Sequence, residues 1–427
     1  MHAWLRCSCL ATLASTLAAQ ALELQKLRAG DGGAQDSFGG AIALFGKRAL
    51  IGAELDNHSG RADAGSAYVF ARDAAGVWAQ SAKLTAADRA ANDHFGTAVA
   101  LGRGRALVGA DGDDDQGSLS GSAYVFERDA AGAWQQVAKL LPGDGAAFDI
   151  FGDALALSGT RALVGAPGNS ERGPGAGAAY VFERGAGGAW VQVAKLMAAD
   201  AAPQAFFGNS VALDGSRTLI GAFSDDRAAS DAGAVYVFEL RPEPLGSSLS
   251  SITPGGSIRR ASWRQVAKLT ALDASAGAAF GCSVALSGER ALAGAYGDDG
   301  SGTDAGAAYV FERASDGTWL QRARLVAPGD AAGDVLGAVV ALSGERALVA
   351  AVGDDALGSD AGSAHVFVRS ASGVWAWSEE LRASDGSSPD GFGTGLAVRG
   401  DLALAGAPRA DGLVLQSGAA YVFDLAP

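Results

Sequence analysis

The sequence predicts an all-β fold: a seven-bladed β-propeller of four-stranded antiparallel blades, closed by the N-terminal strand joining the last blade. Three observations predict it. A Phe-Gly pair recurs at Phe38, Phe95, Phe151, Phe207, Phe280 and Phe392, with Leu336-Gly337 in the sixth slot, at spacings of 57, 56, 56, 73, 56 and 56 residues. An aromatic block follows each at matching distance, beginning at Tyr68, Tyr124, Tyr180, Tyr236, Tyr309, His365 and Tyr421. The two chain ends also complement each other: Leu22 to Leu27, LELQKL, matches the last run of a repeat, which the final copy lacks after YVFDLAP. Self-similarity at one long period marks a repeat architecture.

Each copy holds four short runs of strand character. In the second they are FGTAVAL, RALVGA, SAYVFER and WQQVAKL, between Phe95 and Leu140. Runs of five to seven residues, punctuated by glycine, favour strands over helices. Gly102 and Gly104 turn the first run into the second, and DAAGA joins the third to the fourth as a hairpin. A closed ring of such sheets removes long exposed edges. The fourth copy is longer by 17 residues, and its segment from about Arg241 to Ser262 is rich in Pro, Gly and Ser. It is expected to lengthen the hairpin between the third and fourth strands as an irregular loop.

Composition bounds the partners. The chain has 427 residues, 48% of them hydrophobic, and a formal charge of −14 with 33 basic and 47 acidic side chains. Nucleic acid and anionic membrane both need basic surface, so neither is expected as a partner. Residues 1–21 read as an export signal: Arg6 gives a positive start, Leu10 to Ala19 an apolar stretch, and Ala19-Gln20-Ala21 a small-residue cleavage site. That stretch is too short to span a bilayer, and a secreted or cell-envelope, monomeric protein is expected. Cys7 and Cys9 fall inside the signal, so only Cys282 would remain and no intrachain disulfide would form.

The units FGDALALSGTRALVGAP (151–167) and LALAGAP (402–408) resemble FG-GAP repeats, as found in the integrin α-subunit propeller and in many bacterial exported proteins. The resemblance spans all seven copies and implies a propeller used for binding or cell adhesion. Integrin-type repeats place D-x-D-x-D-G calcium loops between the first two strands of a blade. Here that position holds ALSGTRAL, ALDGSRTL, ALSGERAL or AVRGDLAL, turns too short and too poor in carboxylates for a calcium cage. Arg399-Gly400-Asp401 sits in one of these turns and is read as an ordinary turn.

Carboxylates concentrate elsewhere. If the first strand starts at the top face, the 4–1 and 2–3 loops lie there. The 2–3 loops carry Asp113-Asp114, Asp225-Asp226, Asp298-Asp299 and Asp354-Asp355 in one register, and often end in Asp-Ala-Gly. The 4–1 loops add Asp36, Asp93, Asp149, Asp334 and Asp390 before the Phe-Gly slot, and Asp31, Asp88, Asp144, Asp200, Asp273, Asp330 and Asp385 earlier. One strongly acidic face is expected, with arginines beside the turns of the other. Aspartate caps turns by accepting backbone N–H bonds, which accounts for much of this repetition. The candidate metal ligands are Asp111, Asp113, Asp115, Asp298, Asp299, Asp354 and Asp355, with Ca²⁺ the ion that oxygen-only ligands would suit; no cofactor is required. No zinc site is expected, because His58, His94, His365 and Cys282 are scattered along the chain.

Trp78, Trp134, Trp190, Trp263, Trp319 and Trp375 open the fourth strands and are expected to pack the outer edge of each blade. Cys282 is expected as a small, half-buried thiol. No G-x-S-x-G with a suitable His, metal triad or phosphate loop is present. The function that best fits is therefore a non-catalytic exported binding or adhesion module for an extracellular protein or carbohydrate. The alternatives are a polysaccharide hydrolase or lyase using acids such as Asp93 or Asp149 near the axis, and an envelope scaffold.

Overall fold

Glycine and β-branched residues alternate with short polar turns at every repeat, and the backbone follows them into strands throughout. The computed structural model describes residues 21–58, 60–242 and 261–425. They form seven four-stranded antiparallel sheets, each running from an inner first strand to an outer fourth. In blade two these are Val99–Gly102, Arg105–Ala110, Ser122–Arg128 and Trp134–Leu140. The last blade comprises Leu396–Arg399, Leu402–Ala407 and Ala419–Asp424, and Leu22–Leu27 supplies its outer strand. Leu24 is bulged in that pairing, as Val137 is in blade two, so the closing strand reproduces the local geometry of the strand it replaces.

The inner strand is shorter than the apolar pattern suggests. In six blades it covers four residues, and Phe-Gly lies ahead of it in a tight turn. Gly96 sits at φ +111°. Its N–H donates to Gly109 O at 2.8 Å, and Gly109 N–H returns a bond to Ala98 O at 2.9 Å. The aromatic ring before it is fully buried and packs edge-on against Tyr124 and Phe126, with centroids 5.4 and 6.0 Å apart. Meanwhile Phe95 N–H donates to Ala64 O of the preceding blade at 3.2 Å. Phe-Gly therefore stitches its own first and second strands together and ties them to the neighbour. Blade six departs: Leu336–Ser343 is one continuous strand, and Ala350-Ala351 replaces Gly-Ala.

Contact between blades is backbone on backbone. A Cβ added at Gly109 would lie 2.1 Å from Gly152 O of the next blade, and Gly52, Gly165, Gly221, Gly294 and Gly406 meet the following Phe-Gly or Leu-Gly carbonyl equally closely. Around this seam each apolar core joins two blades, as where Leu50, Val69 and Leu84 pack with Phe95, Val108 and Tyr124. On the lower face the turn arginines repeat the tie: Arg105, Arg161, Arg217 and Arg290 donate to Gly159, Gly215, Gly288 and Gly344 of the following blade.

The tryptophans pack as expected, with Trp78, Trp319 and Trp375 buried. The insertion in blade four is narrower than its composition suggests. Ala234–Pro242 and Ala261–Leu269 are paired strands, with Arg241 opposite Ser262 and Pro242 opposite Ala261, because the hairpin ladder continues two residues further at each end. Residues 243–260 lie outside the described residues, as does the proposed export signal up to residue 20.

Gly109→Ala is expected to lower stability by about 3 kcal/mol through the clash with the next blade. Gly104→Ala, at φ +71° with open space around it, should cost only about 1 kcal/mol. Denaturant titration of the two variants checks the difference.

Candidate functional site

The paired aspartates of the 2–3 loops are held by the chain itself. In blade two, Asp113 is buried and accepts a hydrogen bond from Tyr124 Oη at 2.9 Å. Lys139 Nζ lies 2.8 Å from Asp113, 2.6 Å from Asp115 and 2.9 Å from Asp88. Tyr124 and Lys139 face each other across the third and fourth strands, with the ammonium 5.2 Å from the ring centroid. Burial pulls the Lys139 ammonium toward the neutral form, and the three carboxylates outweigh that, holding it protonated.

The arrangement recurs. Lys83 binds Asp31 and Asp56, Lys195 binds Asp144 and Glu171, Lys268 binds Asp200 and Asp225, and Lys26 binds Asp385. In blade five Arg324 takes the lysine position against Asp298. The acidic face is thus interleaved with cations from the fourth strands.

The second aspartate of each pair caps its loop. Asp114, Asp226, Asp299, Asp355 and Asp411 accept the N–H five residues on, at 2.7 to 2.9 Å. Asp93 and Asp149, considered for a catalytic pair near the axis, are buried and accept N–H bonds from Ala90 and Ala146 inside their own loops. The alternating triplet Asp111, Asp113, Asp115 does not converge: the last two share Lys139, while Asp111 turns to His94. Asp354 contacts Ser363 and Arg382, and blade six alone has His365 and Glu380 where other blades carry tyrosine and a cation. Arg399 lies 4.4 Å over the Phe45 ring and Asp401 pairs with Arg346, so that tripeptide is tied into its turn.

What remains free to differ between blades is the upper mouth of the central channel. A cavity of about 720 Å³ opens there, lined by Glu54, Thr97, Val335, Val352, Thr394 and Arg409 among others. Three repeat positions supply most of its lining, through Ser37, Gly40, Glu54, Thr97, Val335 and Val352 among others, and the same positions recur in every blade. After each Gly-Ala, or Ala350-Ala351 in blade six, stand Glu54, Asp111, Pro167, Phe223, Tyr296, Val352 and Pro408. Before each Phe-Gly or Leu-Gly stand Ser37, His94, Ile150, Phe206, Ala279, Val335 and Gly391, all at positive φ. Two residues after the same pair's phenylalanine or leucine stand Gly40, Thr97, Asp153, Asn209, Cys282, Ala338 and Thr394.

The mouth is asymmetric. Blades one to three contribute Glu54, His94, Asp111 and Asp153. His94 Nδ1 lies 3.5 Å from Asp111 Oδ1, at the outer limit of a hydrogen bond, and that contact raises the affinity of His94 for its proton. Burial, with Asp111 and Glu54 close by, pushes the Asp153 carboxyl up to about 7. Burial also raises Glu54, partly offset by a hydrogen bond with Thr97. Blades four and five present aromatic surface instead: Phe206 and Phe223 stack 5.4 Å apart at 9°, and Tyr296 is 37% exposed. Cys282, half-buried, points its thiol at Gly337 O, 3.4 Å away, and burial pushes it up to about 12.

Sequence reasoning on single loops missed this set, because Glu54, His94, Asp111 and Asp153 are far apart in the chain. The signal that locates them is three columns of the repeat, after Gly-Ala, before Phe-Gly and after Phe-Gly, which vary while their flanks repeat.

Two outcomes follow. Lys139→Met strands buried Asp113 and is expected to cost about 3 kcal/mol, a loss that added Ca²⁺ does not restore in thermal melts. Asp153 holds its proton more tightly folded than unfolded, so its contribution to stability falls as pH rises from about 4 to about 7. Asp153→Asn should therefore stabilise the protein by on the order of 2 kcal/mol near pH 8 and change little near pH 4, as read from melting curves at the two pH values.

A crystal structure of a protein from Lactobacillus plantarum is similar at 12% identity and a TM-score of 0.49, covering 81% of this chain and 85% of that one. No curated protein matches the chain. The FG-GAP repeat matches seven times, over residues 22–70, 78–126, 134–182, 190–238, 263–311, 319–367 and 375–423, each unit running from a fourth strand to the next blade's third. By these seven matches the chain belongs to the FG-GAP repeat family.

Proposed function

We propose that the protein is an exported, non-catalytic binding or adhesion module whose upper channel mouth takes an extracellular protein or carbohydrate. One observation carries this reading: side chains that differ from blade to blade gather at the mouth, while six of the seven blades repeat the same internal ion pairs on the rest of the top face. Carboxylates on one side and aromatic faces on the other suit a ligand with a cationic or amine-bearing group beside an apolar or sugar surface. Glu54, Asp111 and Asp153 would hold the cationic group, and Phe223 and Tyr296 would pack its neighbour. Among the described residues no helix is long and apolar enough to cross a membrane.

A second reading is favoured by Asp153. A carboxyl pushed up to about 7 beside other carboxylates is what a general acid requires, so hydrolysis or elimination on a polysaccharide is the rival activity. Two carboxylates at a set separation would then divide the acid and base roles.

Glycan arrays and pull-downs from cell-envelope extracts test the first reading. Glu54→Gln with Asp111→Asn is expected to abolish capture, whereas Asp114→Asn, a loop cap away from the mouth, should leave it intact. Binding of a cationic ligand should strengthen from about pH 6 to about pH 8 as Asp153 ionises. Equal capture by both variants would refute the mouth as the site. Reducing-end release from a polysaccharide, lost in Asp153→Asn, would decide for the enzyme.

A further inference from the structure

Blade six breaks the rule of the built-in cation. Elsewhere a tyrosine on the third strand faces a lysine or arginine on the fourth: Tyr68 with Lys83, Tyr124 with Lys139, Tyr309 with Arg324 and their counterparts. In blade six the same two positions, still paired in register, are His365 and Glu380. A phenol has become an imidazole and a cation has become a carboxylate, at the point where the loop carboxylate of Asp354 arrives.

The ligand atoms of Asp354, His365 and Glu380 all lie within 4.8 Å of one another. They border a cavity of about 380 Å³ that also includes Asp330 and Arg382. The three come from a 2–3 loop, a third strand and a fourth strand, so backbone pairing fixes their separation. His365 is only 3% exposed. Asp330 occupies the loop position whose equivalents, Asp31 and Asp88, bind the lysines of blades one and two.

We propose that Asp354, His365 and Glu380 form a site for one divalent transition ion of the Zn²⁺ or Mn²⁺ class, which replaces the ammonium that other blades carry. One imidazole nitrogen and two carboxylates match such ions, whereas Ca²⁺ prefers oxygen ligands alone. Asp330 is placed to add a further oxygen. The site is separate from the channel mouth and does not depend on the function proposed for it.

Two side chains regulate entry. Arg382 Nη2 lies 2.6 Å from Glu380 and 3.4 Å from Asp354, standing where the ion would sit. Its side chain is a third exposed and belongs to the residue after the strand ends, so it can swing into solvent. Trp377 Nε1–H donates to His365 Nδ1 at 3.3 Å, which puts the ring proton on Nε2, facing Ser363 Oγ at 3.2 Å. Coordination through Nε2 shifts that proton to Nδ1 and leaves the ring neutral. Trp377, 40% exposed, turns aside to allow it.

The test is calorimetric titration of the chelator-stripped full chain with ZnCl₂, MnCl₂ and CaCl₂. Zn²⁺ and Mn²⁺ are expected to saturate at one ion per chain and Ca²⁺ to bind far more weakly. Replacing His365→Tyr together with Glu380→Lys restores the pattern of the other blades and should abolish uptake while leaving the metal-free melting temperature unchanged or higher. On the wild-type chain, substoichiometric Mn²⁺ should broaden the His365 imidazole resonances before those of His58 and His94, a readout that holds even if the double variant misfolds. Absence of stoichiometric uptake, uptake retained in the folded double variant, Ca²⁺ bound as tightly, or earlier broadening at His94 would each overturn the proposal.

Discussion

The close approach of two glycines, one after a phenylalanine or leucine at the entrance to a blade and one before the alanine of the preceding blade, is the constraint on which the ring depends. At six of the seven seams backbones meet there at distances that no side chain permits, and in blade six Ala350 takes the place of the second glycine. The neighbouring aromatic rings can then pack in a core shared by each adjoining pair of blades. The curvature that closes seven blades is therefore set at an inner seam, and the outer strands follow it. Closure by Leu22–Leu27 matters for the same reason: without that strand the last sheet would lack its fourth member.

A second regularity concerns charge. Buried carboxylates in loops are costly unless a cation meets them, and this chain supplies the cation from its own fourth strands. Tyrosine, lysine and two loop aspartates make a unit in which the phenol donates, the ammonium neutralises and the ring faces the cation. In these loops the carboxylates thus meet a cation of the chain itself. Blade six is instructive because its exchange of residues is concerted: losing the lysine alone would strand carboxylates, whereas gaining His365 and Glu380 together makes a different chemistry.

Much of the architecture was legible in the sequence. The period gave the blades, the matching runs at the two ends gave the closing strand, and the tryptophans marked the outer edge. The start of the inner strand was not legible, because FGTAVAL reads as one apolar run and nothing local reveals the positive φ of Gly96. The roles of the aspartates were only half legible. Turn capping by Asp114 and its equivalents follows from residue type, but the partner of Asp113 is Lys139, which a strand pattern shows only as an outward-facing residue. The mouth was hidden for a different reason. Its members are separated by whole blades in the chain, and only the packing of consecutive blades brings Glu54, Asp111 and Asp153 together. His365 looked isolated among scattered histidines because register across a hairpin, not sequence proximity, places it beside Glu380.

Hydrogen–deuterium exchange at single-amide resolution, with and without chelator, tests the account most directly. The glycine amides that close each entrance, Gly39, Gly96, Gly152, Gly208, Gly281 and Gly393, should exchange as slowly as the strand cores. The 2–3 loops of blades one to five should be indifferent to the chelator, with any change confined to the surroundings of Asp354, His365 and Glu380. Rapid exchange at those glycines, or loss of protection around Asp113, Asp225 or Asp298 when metal is removed, would contradict it.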